Sequence, residues 1–164
     1  MLNFKKKKRL EDVNNFFGTV SSFLVLLLIL LVSSTVILRY VFSIGFTWLQ
    51  DLYIWVHASF IMLGIAYTLN KDGHVRIDIL YRNFSKSNKK KINLLGSVFF
   101  GLPVCYFIIF KGYDYFLRSY LVGEDSKETG GLPNLFILKF FIFFFGILLL
   151  IEIINKILNF FNKK

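Results

Sequence analysis

The chain of 164 residues contains a single cysteine, Cys105, and only two histidines, His57 and His74. One cysteine cannot form an intrachain disulfide, and the count also excludes an enzyme that works through a pair of thiols. Bis-histidine haem ligation needs two histidines at comparable depth, but His74 lies beyond the apolar segment that holds His57. A membrane cytochrome is therefore not expected, and we predict instead that His57 hydrogen-bonds a neighbouring helix.

The sequence also lacks the motifs of common enzyme and carrier classes. It contains no glycine-rich nucleotide-binding loop and nothing arranged like a Ser/His/Asp or Cys/His nucleophile. Its apolar segments show no converging acids, no pair of broken helices and no inverted repeat, which a self-sufficient ion-coupled carrier would need. We therefore expect no catalytic residue, no cofactor and no metal site.

What the chain has instead is four long apolar segments. It is 55% hydrophobic and contains 21 Phe, which is more apolar surface than a soluble domain of this length can bury. A membrane-spanning helix needs about 20 mostly apolar residues. The segments predict an all-α membrane protein with transmembrane helices at about 14–38, 49–70, 92–112 and 133–158, in one domain that covers residues 1–164.

Lysine and arginine are distributed unevenly around these segments. The formal net charge is +10, and 15 of the 20 basic residues lie before segment one, between segments two and three, or at the end of segment four and beyond it. Only five lie on the opposite side, in or next to the other two connections: Arg39, Lys111, Arg118, Lys127 and Lys139. Because basic residues favour the cytoplasmic side of a membrane, we expect both termini in the cytoplasm. The positive charge then follows from topology, and we expect no nucleic-acid partner.

The predicted cytoplasmic loop between segments two and three carries an amphipathic pattern. Its apolar residues recur at i, i+3, i+4 and i+7: Ile77, Leu80, Tyr81 and Phe84. This pattern predicts an amphipathic helix at the membrane interface, with basic neighbours placed for anionic headgroups and membrane lipids as partners. The alternative is the solvated end of a helix beside a lysine-rich loop.

Two pairs of residues flank the second segment. Trp48 and Asp51 stand at its start, where the helix dipole favours an acid and the membrane interface favours tryptophan. His74 and Asp78 follow its end with a spacing of four, so they can face each other on a helix. A pair offers too few ligands for a metal ion, and we interpret His74 and Asp78 as a structural clamp that fixes the loop.

The tract before the fourth segment predicts a turn. Gly130 and Gly131 precede Pro133, which is tolerated close to the start of a helix. Within the segment, Lys139 and Glu152 are 13 positions apart, or about 20 Å along a helix. We expect both side chains to extend toward opposite membrane surfaces. The alternative is that they contact polar groups of a partner subunit.

The chain resembles the small membrane subunit of tripartite ATP-independent periplasmic (TRAP) transporters, the DctQ-like family. The matching residues start with Trp48 and Asp51, continue through Gly73, His74 and Asp78, and end with Ser126, Gly130, Gly131, Leu132, Pro133 and Lys139. The last group is similar to a family branch associated with dicarboxylates and keto acids. Gln50 and Glu152 depart from the family, which often has an acid and a glutamine near these positions.

The resemblance implies a non-enzymatic role in transport across the bacterial inner membrane. A periplasmic binding protein would capture an organic acid, and a large membrane subunit would move it inward with a sodium gradient. The small subunit would scaffold the large one, with Trp48, Asp51, His74 and Asp78 stabilising the scaffold and the connection before segment four meeting the binding protein.

Two other functions are open to a chain of this kind. One is an independent, homo-oligomeric four-span carrier, but such carriers usually place an acid in the first span, and residues 13–38 contain none. The other is a membrane-bound electron-transfer subunit, which the histidine count opposes.

Overall fold

A computed structural model shows the chain as a bundle of long helices. The structure describes residues 2–71, 73, 81 and 83–161, with side chains from residue 12 onward. Its elements are α1 (Leu2–Tyr40), α2 (Thr47–Asn70), α3 (Lys86–Gly96), a π-helical segment (Ser97–Gly101), α4 (Leu102–Val122) and α5 (Phe136–Phe161). The described residues contain no strand, so the predicted all-α class is confirmed.

Four helices are long and apolar enough to cross a membrane: Asp12–Tyr40, Thr47–Asn70, Lys86–Val122 and Phe136–Phe161. The predicted number of transmembrane helices is therefore confirmed by length and composition. Many large apolar side chains on them are exposed, as expected where lipid or another apolar surface replaces water. The orientation of the termini, the interfacial helix and the single-domain organisation stay predictions, and most of residues 76–82 lie outside the described part of the chain.

The third span is longer than the sequence predicts because α3 continues through the π-helical segment into α4. The Leu102 N–H donates to the Ser97 carbonyl, five residues earlier, and Pro103 follows immediately. A proline in a regular helix lacks the N–H and crowds the carbonyl one turn before it. The wider π turn lies where that crowding would occur.

The bundle consists of two helix pairs joined at its centre. Helix α1 packs mainly on α2, α4 packs mainly on α5, and the pairs meet through α2 and α5. Leu63, Ala66 and Leu148 form the buried core between the pairs, beside an edge-to-face contact of Phe17 and Phe144 at 5.1 Å. The core is small, as expected when most apolar surface faces outward.

The α4–α5 pair depends on two glycines that bring backbone atoms into contact. A Cβ atom at Gly112 would lie 3.1 Å from the Phe143 Cα. A Cβ atom at Gly146 would lie 2.8 Å from the Ile108 Cγ2 and 3.2 Å from the Ile109 backbone nitrogen. Small residues let membrane helices approach closely, so these positions fix the crossing of the two helices.

We expect Gly112→Leu to destabilise the chain because the new side chain meets the backbone of α5, which cannot rotate away. Overpacking of this kind costs about 1–3 kcal/mol. Thermal unfolding of the purified protein measures the loss. The control is Gly96→Leu, because Gly96 is also helical and has nothing within 4 Å of its added Cβ. Equal melting temperatures for the two variants would contradict the proposed helix contact.

Candidate functional site

The connection between α4 and α5, residues 123–135, folds back on itself at one end of the bundle. The Ser126 N–H donates to the Leu132 carbonyl over 3.0 Å, and the Leu135 N–H donates to the Glu124 carbonyl over 2.7 Å. Gly130 has a φ of 75°, a left-handed conformation that glycine adopts without a Cβ penalty. The predicted turn is therefore a closed loop held by its own backbone.

Asp51 holds this loop against the first turns of α2. Its Oδ2 accepts a hydrogen bond from the Leu132 N–H over 2.8 Å. Hydrogen bonds to an ionised acceptor are among the stronger ones. Two sequence motifs that are 81 positions apart thus form one contact. Asp51 therefore binds the loop in addition to lying in the favourable dipole field at the start of its own helix.

Gly131 makes this contact possible because it leaves room for the carboxylate. A Cβ atom at position 131 would lie 2.4 Å from Asp51 Oδ2 and 2.4 Å from Ser126 Oγ. Any larger residue would displace one or both of these side chains. We call this arrangement the loop clasp: Asp51, Ser126, Gly131 and Leu132.

Lys139 and Glu124 make a second contact between α5 and the same loop. The Lys139 ammonium pairs with Glu124 Oε2 and lies 4.0 Å from the centre of the Tyr115 ring, within cation–π range. The hydrogen bond from Lys139 holds the pKa of the Glu124 carboxyl below its usual range. The Lys139 side chain is buried and paired within the chain with a loop residue outside the spans, and its extension to the membrane surface stays a prediction.

Trp48 and Pro133 lie beside these contacts without joining them. Trp48 is 45% exposed and packs against Phe46 with ring centroids 5.9 Å apart, which suits an interfacial tryptophan. Helix α5 begins at Phe136, three residues after the predicted start, because Asn134 has a φ of 63°. Pro133 is therefore part of the loop.

The clamp proposed for His74 and Asp78 lies outside the described residues and stays a prediction. Next to it, the Gly73 N–H donates to the Thr68 carbonyl over 2.9 Å and closes the turn that follows α2. The hydrogen bond predicted between the other histidine, His57, and a neighbouring helix is not found among the described residues. His57 is exposed near the middle of α2 and stacks on Phe60 of its own helix at 5.4 Å.

A buried polar cluster at the opposite end of the bundle was not predicted. Glu152 of α5 is 2% exposed, and its Oε2 accepts hydrogen bonds from Asn14 Nδ2 at 2.9 Å and Asn70 Nδ2 at 3.0 Å. We call Asn14, Asn70 and Glu152 the amide–carboxylate cluster. It ties α1, α2 and α5 together, so Glu152 contacts polar groups within the chain, while its extension to a membrane surface and its contact with a partner subunit stay predictions.

Comparison with protein-family models gives a match over residues 28–163, to the family described as "Tripartite ATP-independent periplasmic transporters, DctQ component". The matched range includes the loop clasp, Lys139 and Glu152. Comparisons with curated proteins and with solved structures give no match. The family match covers most of the chain and agrees with the resemblance in the motifs.

Proposed function

Because the chain belongs to the DctQ family of tripartite ATP-independent periplasmic transporters, we propose that it scaffolds the large membrane subunit during sodium-driven uptake of an organic acid. Membership of this family implies that the chain is the small permease subunit of such a transporter. It is a multi-pass membrane protein, and the family is a family of transporter components and not of enzymes. The substrate class we propose is a dicarboxylate or keto acid, on the basis of Ser126, Gly130, Gly131, Leu132, Pro133 and Lys139. The location we propose is the bacterial inner membrane, with both termini in the cytoplasm.

The exposure of His57 is the observation that best supports a large membrane partner. The imidazole lies on the outside of α2, near the middle of a helix that would span the bilayer. Ionisable and polar groups inside a membrane usually face a protein interior or a partner group rather than lipid. We therefore place the large subunit against the His57 face of α2.

The internal contacts support a static role for the small subunit. The loop clasp joins α2 to the α4–α5 connection at one end, and the amide–carboxylate cluster joins α1, α2 and α5 at the other. Helices that are tied at both ends are suited to hold a moving partner in place. On this view Trp48, His74 and Asp78 complete the scaffold.

The loop end of the bundle is where we place the periplasmic binding protein. With cytoplasmic termini, residues 123–135 face the periplasm. Asp125, Lys127 and Glu128 are exposed there, so the loop offers charged groups for a reversible contact. The loop clasp would then fix the shape of that docking surface.

We expect a tagged form of this chain, extracted in mild detergent, to recover one larger multi-span protein in stoichiometric amount. In His57→Ala the affinity for that protein should fall about threefold, because an interhelical hydrogen bond in a membrane contributes roughly 0.6 kcal/mol. Quantitative mass spectrometry of the eluate measures the ratio of the two proteins.

The matched control is His57→Gln, which keeps a hydrogen-bonding side chain and should recover more of the large protein than His57→Ala. Recovery of the small chain alone, as a stable self-oligomer, would contradict the scaffold role and favour an independent carrier. Unchanged recovery in His57→Ala would contradict only the placement of the interface.

A further inference from the structure

A polar pocket with a volume of about 410 Å³ opens beside the amide–carboxylate cluster. It lies where the end of α2, the start of the third span and the last turns of α5 come together. Its polar lining includes Asn70, Lys90, Asn93, Glu152, Asn155 and Lys156. None of the functions proposed above uses this pocket.

The floor of the pocket is rich in hydrogen-bond acceptors. Glu152 and Asn155 are 2% and 1% exposed, and the buried Oδ1 of Asn155 has no hydrogen-bond partner within the part of the chain that the structure describes. A carboxylate offers about four acceptor sites, and the amides of Asn14 and Asn70 use only part of that capacity. A buried acceptor without a donor is costly, so a cationic donor would be stabilised on this floor.

The rim of the pocket has the opposite charge. Lys90 of α3 and Lys156 of α5 line it, and ammonium groups are common ligands of phosphate. Leu94 and Phe160 add an apolar wall. An occupant that matches these regions carries an ammonium group, a phosphate and an apolar part.

We propose that this pocket binds the headgroup of a phosphatidylethanolamine molecule from the bilayer. Its ammonium group lies on Glu152 and Asn155, and its phosphate lies on Lys90. A primary ammonium donates up to three hydrogen bonds to the acceptor floor. The quaternary ammonium of phosphatidylcholine donates none, and phosphatidylglycerol brings no cation for the carboxylate. The proposal depends on the membrane location of the chain and not on its role as a scaffold.

The test uses the full chain, purified together with any protein that stays bound to it and stripped of lipid in detergent. Phosphatidylethanolamine, phosphatidylcholine and phosphatidylglycerol with identical acyl chains are added separately. Native mass spectrometry counts the retained lipid, and thermal unfolding reports stabilisation. We expect phosphatidylethanolamine to be retained and to raise the melting temperature more than the other two lipids.

Substitutions of pocket-lining residues distinguish lipid binding in this pocket from nonspecific lipid binding elsewhere on the protein. Lys90→Gln removes one charged phosphate ligand and should weaken retention roughly tenfold. Lys91→Gln is the matched control, because Lys91 is exposed on the same helix and is not part of the pocket lining. Asn155→Ala should lower retention of phosphatidylethanolamine while leaving that of phosphatidylglycerol unchanged.

Several results would overturn the proposal. Equal retention of phosphatidylethanolamine and phosphatidylglycerol would show that the floor selects no ammonium group. Equal stabilisation by soluble O-phosphoethanolamine would show that the occupant need not be a lipid. No retained lipid, combined with loss of the large membrane protein in Lys90→Gln, would show that the pocket receives a protein group instead.

Discussion

Replacing Gly131 with alanine is expected to break the hydrogen bond between the Asp51 carboxylate and the Leu132 N–H. The new methyl group would lie 2.4 Å from both Asp51 Oδ2 and Ser126 Oγ. The two oxygen atoms can rotate away, but the Ser126 Cβ, 2.6 Å from the new methyl group, cannot, so the loop backbone must also shift. This shift lies in the loop and not in the helices, so the bundle survives while the carboxylate leaves the loop. We expect the free energy of unfolding to fall by about 1–3 kcal/mol. We also expect amide hydrogen exchange in residues 123–135 to increase, which mass spectrometry of peptides measures.

The control for this prediction is Gly45→Ala. Gly45 lies in the connection between α1 and α2 at the same end of the bundle, and an added Cβ has nothing within 4 Å. The double variant with Asp51→Ala tests the cause, because two substitutions that break the same hydrogen bond are not additive. Additive losses, or equal exchange in Gly131→Ala and Gly45→Ala, would count against the loop clasp.

The helices of this fold could be predicted from the sequence because each is encoded locally. Runs of about 20 apolar residues identify a spanning helix without knowledge of its neighbours. The crossing of α4 and α5 could not be predicted in the same way. Gly112 and Gly146 look like ordinary glycines in apolar helices, and only the three-dimensional contact distinguishes them from Gly96.

The site was predicted as separate motifs and not as a set of contacts. Asp51 and Gly131 each belong to a recognisable local pattern, but no local pattern states that an acid in α2 accepts a hydrogen bond from a loop 81 positions later. The contacts of Lys139 and Glu152 could not be predicted for a related reason. Their depth in the span predicts extension toward the surfaces, but it does not identify Glu124, Asn14 and Asn70 as the polar groups that they contact inside the chain.

Replacing Glu152 with leucine is expected to destabilise the bundle. The change leaves the Nδ2 groups of Asn14 and Asn70 without their acceptor. A buried donor that loses its partner costs about 1–3 kcal/mol, which applies in full to the buried Asn14 and only in part to the partly exposed Asn70. Glu152→Gln should have an intermediate effect, because the amide oxygen of glutamine still accepts a hydrogen bond. Denaturant or thermal unfolding in detergent measures the relative stability of the unaltered chain, Glu152→Gln and Glu152→Leu.

The triple variant Asn14→Leu, Asn70→Leu, Glu152→Leu distinguishes lost hydrogen bonds from poor packing of leucine. Replacing every partner of a buried polar cluster by apolar groups can be nearly neutral. The triple variant should therefore recover much of the stability that Glu152→Leu loses. If it is no more stable than Glu152→Leu, the cost comes from the shape of leucine. If Glu152→Leu unfolds like the unaltered protein, the amide–carboxylate cluster does not hold α1, α2 and α5 together.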